Sequence, residues 1–306
     1  MGLIVRTPNW LGDIIMSLPA VSKLAAKYPG MTIWSHPRVS GLIPIFFPHL
    51  KVFTAKRTGR NEFSRLLLMT DSFSSALQGY LSGIKERIGY RTDTRSILLT
   101  KALMPPSDRC HHHSVDYENL ALELGASPEA VIPSPSVEPE GEPHVAVFSG
   151  ARFGSAKIWP HFPEFARKLQ ENMDLPVVFY GSHEEKGVLD ELSSTVSGSI
   201  VRTELTIAEL ASNLLSALLA VGNDSGGVHL SAVLGVPTVT IFGSTSPLWT
   251  APLGELTATV YSERICSPCF KRKCPYGGVP ECLNDISMEE VSAVCLRLTK
   301  NSGFQE

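Results

Sequence analysis

The sequence predicts an α/β protein of two domains, each built on a mainly parallel sheet. Three observations predict it. Short apolar runs alternate with amphipathic stretches. A segment rich in proline, glutamate and serine interrupts this pattern near residues 126–143, and the alternation then starts again. With 306 residues the chain is long enough for two ordinary cores.

The elements follow in order. "GLIVR" (2–6) reads as a strand, and "DIIMSLPAVSKLAAKYP" (13–29) as a helix opening at Asp13. Leu18-Pro19 inside it predicts a kink or a short first segment, because proline lacks the N–H a helix interior needs. "MTIWSH" (31–36) is a strand, and "SRLLLMTDSFSSALQGYLSG" (64–83) is a strand, a loop and a helix. The predicted boundaries are a first domain at 1–130, a linker at 131–143, a second domain at 144–286 and a C-terminal helix at 287–306 that crosses back to the first domain. In the second domain, "HVAVFSGA" (144–151) is a strand running into a loop, and "FPEFARKLQENM" (162–173) is a helix. "LPVVFYGS" (175–182) is a strand, "TIAELASNLLSALLAVG" (206–222) a helix and strand, "VHLSAVLG" (228–235) a helix and "VPTVTIFG" (236–243) a strand. Ligands are expected at the carboxyl ends of the strands, in a cleft between the domains.

Charge is divided unevenly. Residues 1–110 carry 15 basic and 6 acidic side chains, and residues 111–306 carry 12 and 24. A basic first half suits an anionic partner. Nucleic acid is disfavoured, because the basic residues of 51–65 are interleaved with only Phe53 and Phe63. The chain shows no run of eighteen apolar residues and no basic-then-apolar leader, which predicts a cytoplasmic protein without a transmembrane span.

Three stretches carry chemistry. In "VGNDSGGVHLSAVLGVPTVTIFGSTSP" (221–247), small residues lead into a helix whose free amides and dipole favour an anion such as a diphosphate. Asp224 would repel phosphate there, so it points at sugar hydroxyls or caps the helix. In "SGARFGSAKIWP" (149–160), Lys157 is a compact cation for a diphosphate, or a surface lysine. In "YGSHEEK" (180–186), a carboxylate holds ribose hydroxyls or decorates a solvated helix start. Neither a Walker A pattern nor GxGxxG occurs, which argues against P-loop NTPases and ordinary dinucleotide dehydrogenases. The Asp-x-Asp type spacing that a divalent metal needs is offered by Glu138, Glu140 and Glu142, which lie in the linker as a solvated run, so no catalytic metal is expected.

Cys266-x2-Cys269-x4-Cys274-x7-Cys282 has a spacing compatible with a four-thiolate structural zinc site, or with free thiols packed in a tight loop. "CHHH" (110–113) offers adjacent ligands that cannot all face one ion, and reads as a solvated loop. Lys85, Arg87 and Arg91 are candidates for acceptor phosphate or carboxylate groups, or a solvated helix end.

In the order and spacing of "NWLGD" (9–13), "GARFGSAKIWP" (150–160), "NDSGGVHLSAVLGVPTVTIFGSTSP" (223–247) and "CSPCFKRKCPYGGVPECLNDIS" (266–287), the chain resembles the ADP-heptose:lipopolysaccharide heptosyltransferases, in particular those extending the inner core. The resemblance implies the GT-B fold, two Rossmann-like domains with parallel sheets facing an interdomain cleft. It implies an inverting, metal-independent glycosyltransferase that moves heptose from ADP-heptose to a lipid-linked lipopolysaccharide core. Asp13 then matches the general base, and Lys157 the lysine that contacts the donor diphosphate, with Ser149 and Gly150 in the same loop. Asp224 matches the residue holding the donor heptose, with Ser225, Gly226, Gly227 and His229 around the donor. Glu184 falls at the ribose, and Leu205 and Thr206 border the adenine. A histidine among His111–His113 would lie near the acceptor. Gly227 departs from the family pattern, which carries a larger aliphatic residue there. The enzyme is expected in the cytoplasm, held weakly and peripherally at the inner face of the inner membrane. A sugar-nucleotide epimerase or hydrolase of the same fold, or a transferase with another sugar donor, is the alternative.

Overall fold

The computed structural model describes residues 2–129, 131–150 and 154–301. The tip of the Lys157 loop, 151–153, and residues 302–306 of the expected C-terminal helix lie outside the described residues. The chain divides into two compact units, Met1–Ser136 and Val137–Glu306.

In the first unit, β1 (Gly2–Arg6), β2 (Thr32–Trp34), β3 (Lys51–Phe53), β4 (Phe63–Leu68), β5 (Glu86–Tyr90) and β6 (Lys101–Leu103) form one sheet in the order 3-2-1-4-5-6. In the second, β7 (His144–Phe148), β8 (Val177–Tyr180), β9 (Ile200–Arg202), β10 (Ala217–Asn223), β11 (Thr238–Phe242) and β12 (Thr257–Tyr261) repeat that order as 12-11-10-7-8-9. Every described strand pair is parallel. Each sheet is therefore a doubly wound Rossmann sheet, whose strand order reverses between β1 and β4 in one and between β7 and β10 in the other. Those reversals open a crevice at the carboxyl ends of the strands, where loops diverge to opposite faces.

The central strands are apolar on both faces, as parallel strands covered by helices must be. Ile4, Val5, Val145, Val147, Val221 and Ile241 are fully buried. Trp159 anchors the second core, edge-on to Phe162 and Phe165 with centroids 5.1 and 5.3 Å away, and its indole N–H donates to the Ile286 carbonyl at 3.0 Å.

The stretch 13–29 splits into helices Leu11–Met16 and Leu18–Lys27. Pro19 sits in the first turn of the second, where its missing N–H costs nothing. Asp13 thus lies within the first turn of a helix that starts at Leu11, two residues before the predicted opening. The Pro-rich segment is tied down at both ends. Ser136 donates its N–H to the Ile45 carbonyl at 2.7 Å, and Glu140 donates its own to the Ser212 carbonyl at 2.9 Å. The helix Met288–Asn301 packs on β10, β11 and β12 through Val291, Cys295 and Leu298. Among the described residues no helix is long and apolar enough to cross a membrane.

Candidate active site

The second unit's site is assembled where β7 and β10 end. Asn223 closes β10, and its buried amide accepts the Trp159 N–H at 3.0 Å while donating to the Ser149 carbonyl at 2.6 Å. One side chain thereby fixes both ends of the loop that carries Lys157. Next in the chain, Asp224 gathers three side chains. Its carboxylate is paired with the Lys157 ammonium and accepts the Thr245 hydroxyl at 2.6 Å, and His229 Nε2 stands 3.6 Å from its other oxygen. Lys157 also donates to the Asp224 carbonyl at 3.2 Å.

All four residues are buried, with 9% exposure or less. Burial pushes the Asp224 carboxyl up, but the hydrogen bond from His229 and the Lys157 charge outweigh it and hold the carboxyl well below the ordinary carboxylate range. The site therefore keeps a carboxylate ionised in a dry place by surrounding it with donors.

Ser225 then turns the chain into the helix Gly226–Val233, whose first turn carries no side-chain cap and no acid. The buried Ser225 hydroxyl, Ser244 hydroxyl and His229 Nδ1 have no hydrogen-bond partner among the described residues. Buried polar groups left without partners cost free energy, and their concentration around one helix start points to a polar ligand.

Gly227 has a steric explanation. A Cβ there would stand 2.2 Å from the Phe148 ring, which stacks on Tyr180. The Phe148 ring, reaching in from β7, takes the space that a side chain at 227 would need.

The other predicted donor residues are placed less uniformly. Ser149 is buried and Gly150 half-buried at the end of β7. A Cβ on Gly150 would meet the Glu185 carboxylate at 2.1 Å. Glu185 caps the turn after β8, accepting the Ser182 N–H and hydroxyl, each at 2.8 Å. Glu184, its neighbour, is exposed. Thr206 caps the helix Ile207–Leu215 in a capping box with Glu209, so its hydroxyl is engaged, and Leu205 is half-buried just before it.

Two residues that matter here escaped the sequence reading. Thr245 steadies Asp224 from the loop after β11, and Glu185 rather than Glu184 braces the Gly150 loop. The "FGSTSP" stretch signalled the first, and nothing in the sequence separates the two glutamates.

The cysteine-rich segment also corrects an expectation. All six cysteines are free thiols, with Cys266 exposed, Cys269 and Cys274 half-buried and Cys282 buried. Burial, followed by the neighbouring Cys266, Cys269 and Cys274, pushes the Cys282 thiol up. Among the described residues no group of three or more His, Cys, Asp or Glu side chains is disposed to hold a metal ion, so the zinc expectation is unsupported. The segment braces the ligand loops through its backbone and a hydroxyl. Phe270 N–H donates to the Ser244 carbonyl at 2.7 Å, Ser267 Oγ donates to the Gly243 carbonyl at 2.6 Å, and Ala156 N–H donates to the Arg272 carbonyl at 3.2 Å. Gly154, at φ 144°, lies so close to that carbonyl that a Cβ would stand 2.2 Å from it.

In the first unit, Asp13 is half-buried, three residues after Trp10, whose side chain is 52% exposed. Burial, then the charges of Asp13, Asp71 and Asp116, push the Tyr117 phenol well above its usual range. The histidine run is a bonded network and not a solvated loop. His111 Nε2 and His113 Nδ1 meet the two oxygens of Asp116 at 2.7 and 2.8 Å, and His113 Nε2 meets the Tyr117 hydroxyl at 2.9 Å. Burial pushes the Asp116 carboxyl up, but these histidines outweigh it and leave it lowered. Of the candidate cations, Arg87 is committed to the fold, donating to the Leu98 carbonyl at 2.6 Å and lying over the Tyr80 ring, while Lys85 and Arg91 are exposed.

Comparison with known proteins agrees with this architecture. Glycosyltransferase family 9 (heptosyltransferase) matches residues 53–279. Lipopolysaccharide heptosyltransferase 2 of Salmonella typhimurium is 30% identical, over 83% of this chain and 86% of that protein. Lipooligosaccharide heptosyltransferase 2 of Campylobacter jejuni is 25% identical over 99% of both. The fold is similar to that of E. coli ADP-heptose lps heptosyltransferase II, with a TM-score of 0.83 at 22% identity, covering 99% of this chain and 100% of that one.

Proposed function

The chain belongs to glycosyltransferase family 9, the heptosyltransferases, and we propose that it transfers heptose from ADP-heptose to the inner core of a lipid-linked lipopolysaccharide precursor, inverting the anomeric centre without a metal ion. It is a glycosyltransferase of two parallel α/β units, of the GT-B type. The observation that carries the finer reading is the buried Lys157–Asp224–Thr245 centre beside an uncapped, glycine-started helix.

The donor chemistry follows from these groups. Lys157 and the amides opening the helix Gly226–Val233 supply positive potential for the departing diphosphate, stabilising charge as it develops. Ser149, Gly150, Ser225, Gly226 and Gly227 lie around that start as close-approach backbone. Asp224, ionised and oriented by Thr245 and His229, accepts hydrogen bonds from the heptose hydroxyls. Glu184 serves the ribose, and Leu205 with the backbone of Thr206 borders the adenine.

Asp13 is the base. The acceptor hydroxyl oxygen attacks the anomeric carbon, its proton passes to the Asp13 carboxylate, and the bond from that carbon to the diphosphate oxygen breaks to release ADP. General-base help of this kind is worth about 10²–10⁴-fold. A single in-line displacement inverts the configuration. The excess of cations in residues 1–110 supports a peripheral site of action at the inner face of the membrane, where the lipid-linked acceptor lies.

The test is a transfer assay with ADP-heptose and truncated lipopolysaccharide acceptors, with the product anomer read by NMR. Acceptor-dependent release of ADP and an inverted linkage support the reading. Consumption of ADP-heptose at the same rate without acceptor would instead point to an epimerase or hydrolase.

A further inference from the structure

Arg6, the last residue of β1, is 8% exposed. A buried guanidinium normally meets a carboxylate, because an uncompensated buried charge is strongly destabilising. Arg6 meets none among the described residues. Nη1 donates to the carbonyls of Thr7 and Trp34 at 3.2 and 3.1 Å, and Nη2 donates to Asn9 Oδ1 at 2.8 Å. The guanidinium lies 5.5 Å from the Trp34 ring centroid, and its Nε has no partner. Burial alone pulls its pKa down to about 10, and no carboxylate is near enough to raise it.

The donor count sharpens the point. A guanidinium has five N–H groups, and three are used on neutral oxygens. The two left over, on Nε and Nη2, share the edge that binds a carboxylate or phosphate side-on. Asn9, which accepts from Nη2, is itself exposed. The surroundings repeat the bias. Ser35, next after Trp34, is 1% exposed and its hydroxyl has no partner. Burial and then the charges of Arg6 and Arg38 push the His36 imidazole down. From Ile14 to Asn61 the sequence holds no acidic residue at all.

We propose that the Arg6 guanidinium is the seat for one anionic group of the acceptor, a sugar carboxylate or a phosphate, and so registers the acceptor hydroxyl on Asp13. This rests on the glycosyl-transfer reading for what the anion belongs to, but not for the presence of an anion site.

Arg6→Met and Arg6→Lys are compared with the wild type in the transfer assay and in thermal unfolding. Arg6→Met is expected to raise the acceptor KM by about tenfold or more, the worth of charge-assisted hydrogen bonds, with donor KM unchanged and Tm equal or higher. Arg6→Lys, which keeps the charge without the fork, falls between them and decides the matter if Arg6→Met does not fold. Inorganic phosphate and D-glucuronate, titrated separately, raise the wild-type Tm more than that of Arg6→Met, and the more effective one identifies the anion. An unchanged acceptor KM, or donor and acceptor KM rising together as Tm falls, would overturn the site. A wild type inactive on this acceptor but still protected by an anion through Arg6 would fail the transfer reading alone.

Discussion

The two units present the same sheet and the same crevice, but they treat charge differently. In the second, Lys157, Asp224, Thr245 and His229 close on one another in a buried centre. In the first, Arg6 is buried on neutral carbonyls alone, and Asp13 stands half-exposed on a short helix. A closed centre is pre-organised, so it binds a ligand of fixed shape without first rearranging. An open one keeps its field for a partner that brings its own charge. The contrast suits a reaction in which one substrate is always the same nucleotide sugar and the other is a large anionic glycolipid.

The largest expected effect breaks the closed centre. Lys157→Met leaves Asp224 buried without its cation, which costs about 3–5 kcal/mol and removes donor binding. Adding Asp224→Asn recovers much of the stability but not the binding, and a double-mutant cycle by chemical denaturation measures the difference. Arg6→Met in the open unit is the counter-experiment, since losing an uncompensated charge there leaves stability unharmed.

Next comes Gly227. Gly227→Ala drives a Cβ into the Phe148 ring and destabilises by about 1–3 kcal/mol, an overpacking cost that Phe148→Ala relieves in the double variant. Thermal unfolding of the three variants checks the pairing.

Acid sharpens the comparison further. The Asp224 carboxyl is depressed in the folded protein, so its contribution is complete above the ordinary aspartate pKa of about 3.9 and is lost as pH falls below it. Stability should therefore drop on acidification below about pH 4, with a flatter profile in Asp224→Asn, as followed by Tm across pH.

The smallest effect is chemical. Cys295, with its thiol pushed up to about 12 by burial, should resist alkylation, while the exposed Cys110 and Cys266 react first. Mass spectrometry after partial labelling gives the order.

Much of this was legible in the sequence, and the reason is local. The strand runs, the Pro19 boundary, the glycine-rich helix start and Asp13 all follow from neighbours within a few residues. What could not be read is set by partners far apart in the chain. Thr245 reaches Asp224 across 21 residues and Lys157 reaches it across 67, so only the fold reveals that they share one carboxylate. Arg6 is the last residue of the strand run "GLIVR", and only its burial on neutral partners singles it out. The cysteine spacing suggested a metal, but the same spacing serves a segment that clamps two loops.

The central claim, that the second unit holds the donor and the first activates the acceptor, is tested most directly by titrating ADP calorimetrically into wild type, Asp13→Ala and Lys157→Met while transfer is measured on the same samples. The account predicts that Asp13→Ala binds ADP as the wild type does yet no longer transfers heptose, and that Lys157→Met binds ADP weakly. Loss of ADP binding in Asp13→Ala, or its survival in Lys157→Met, would contradict the account.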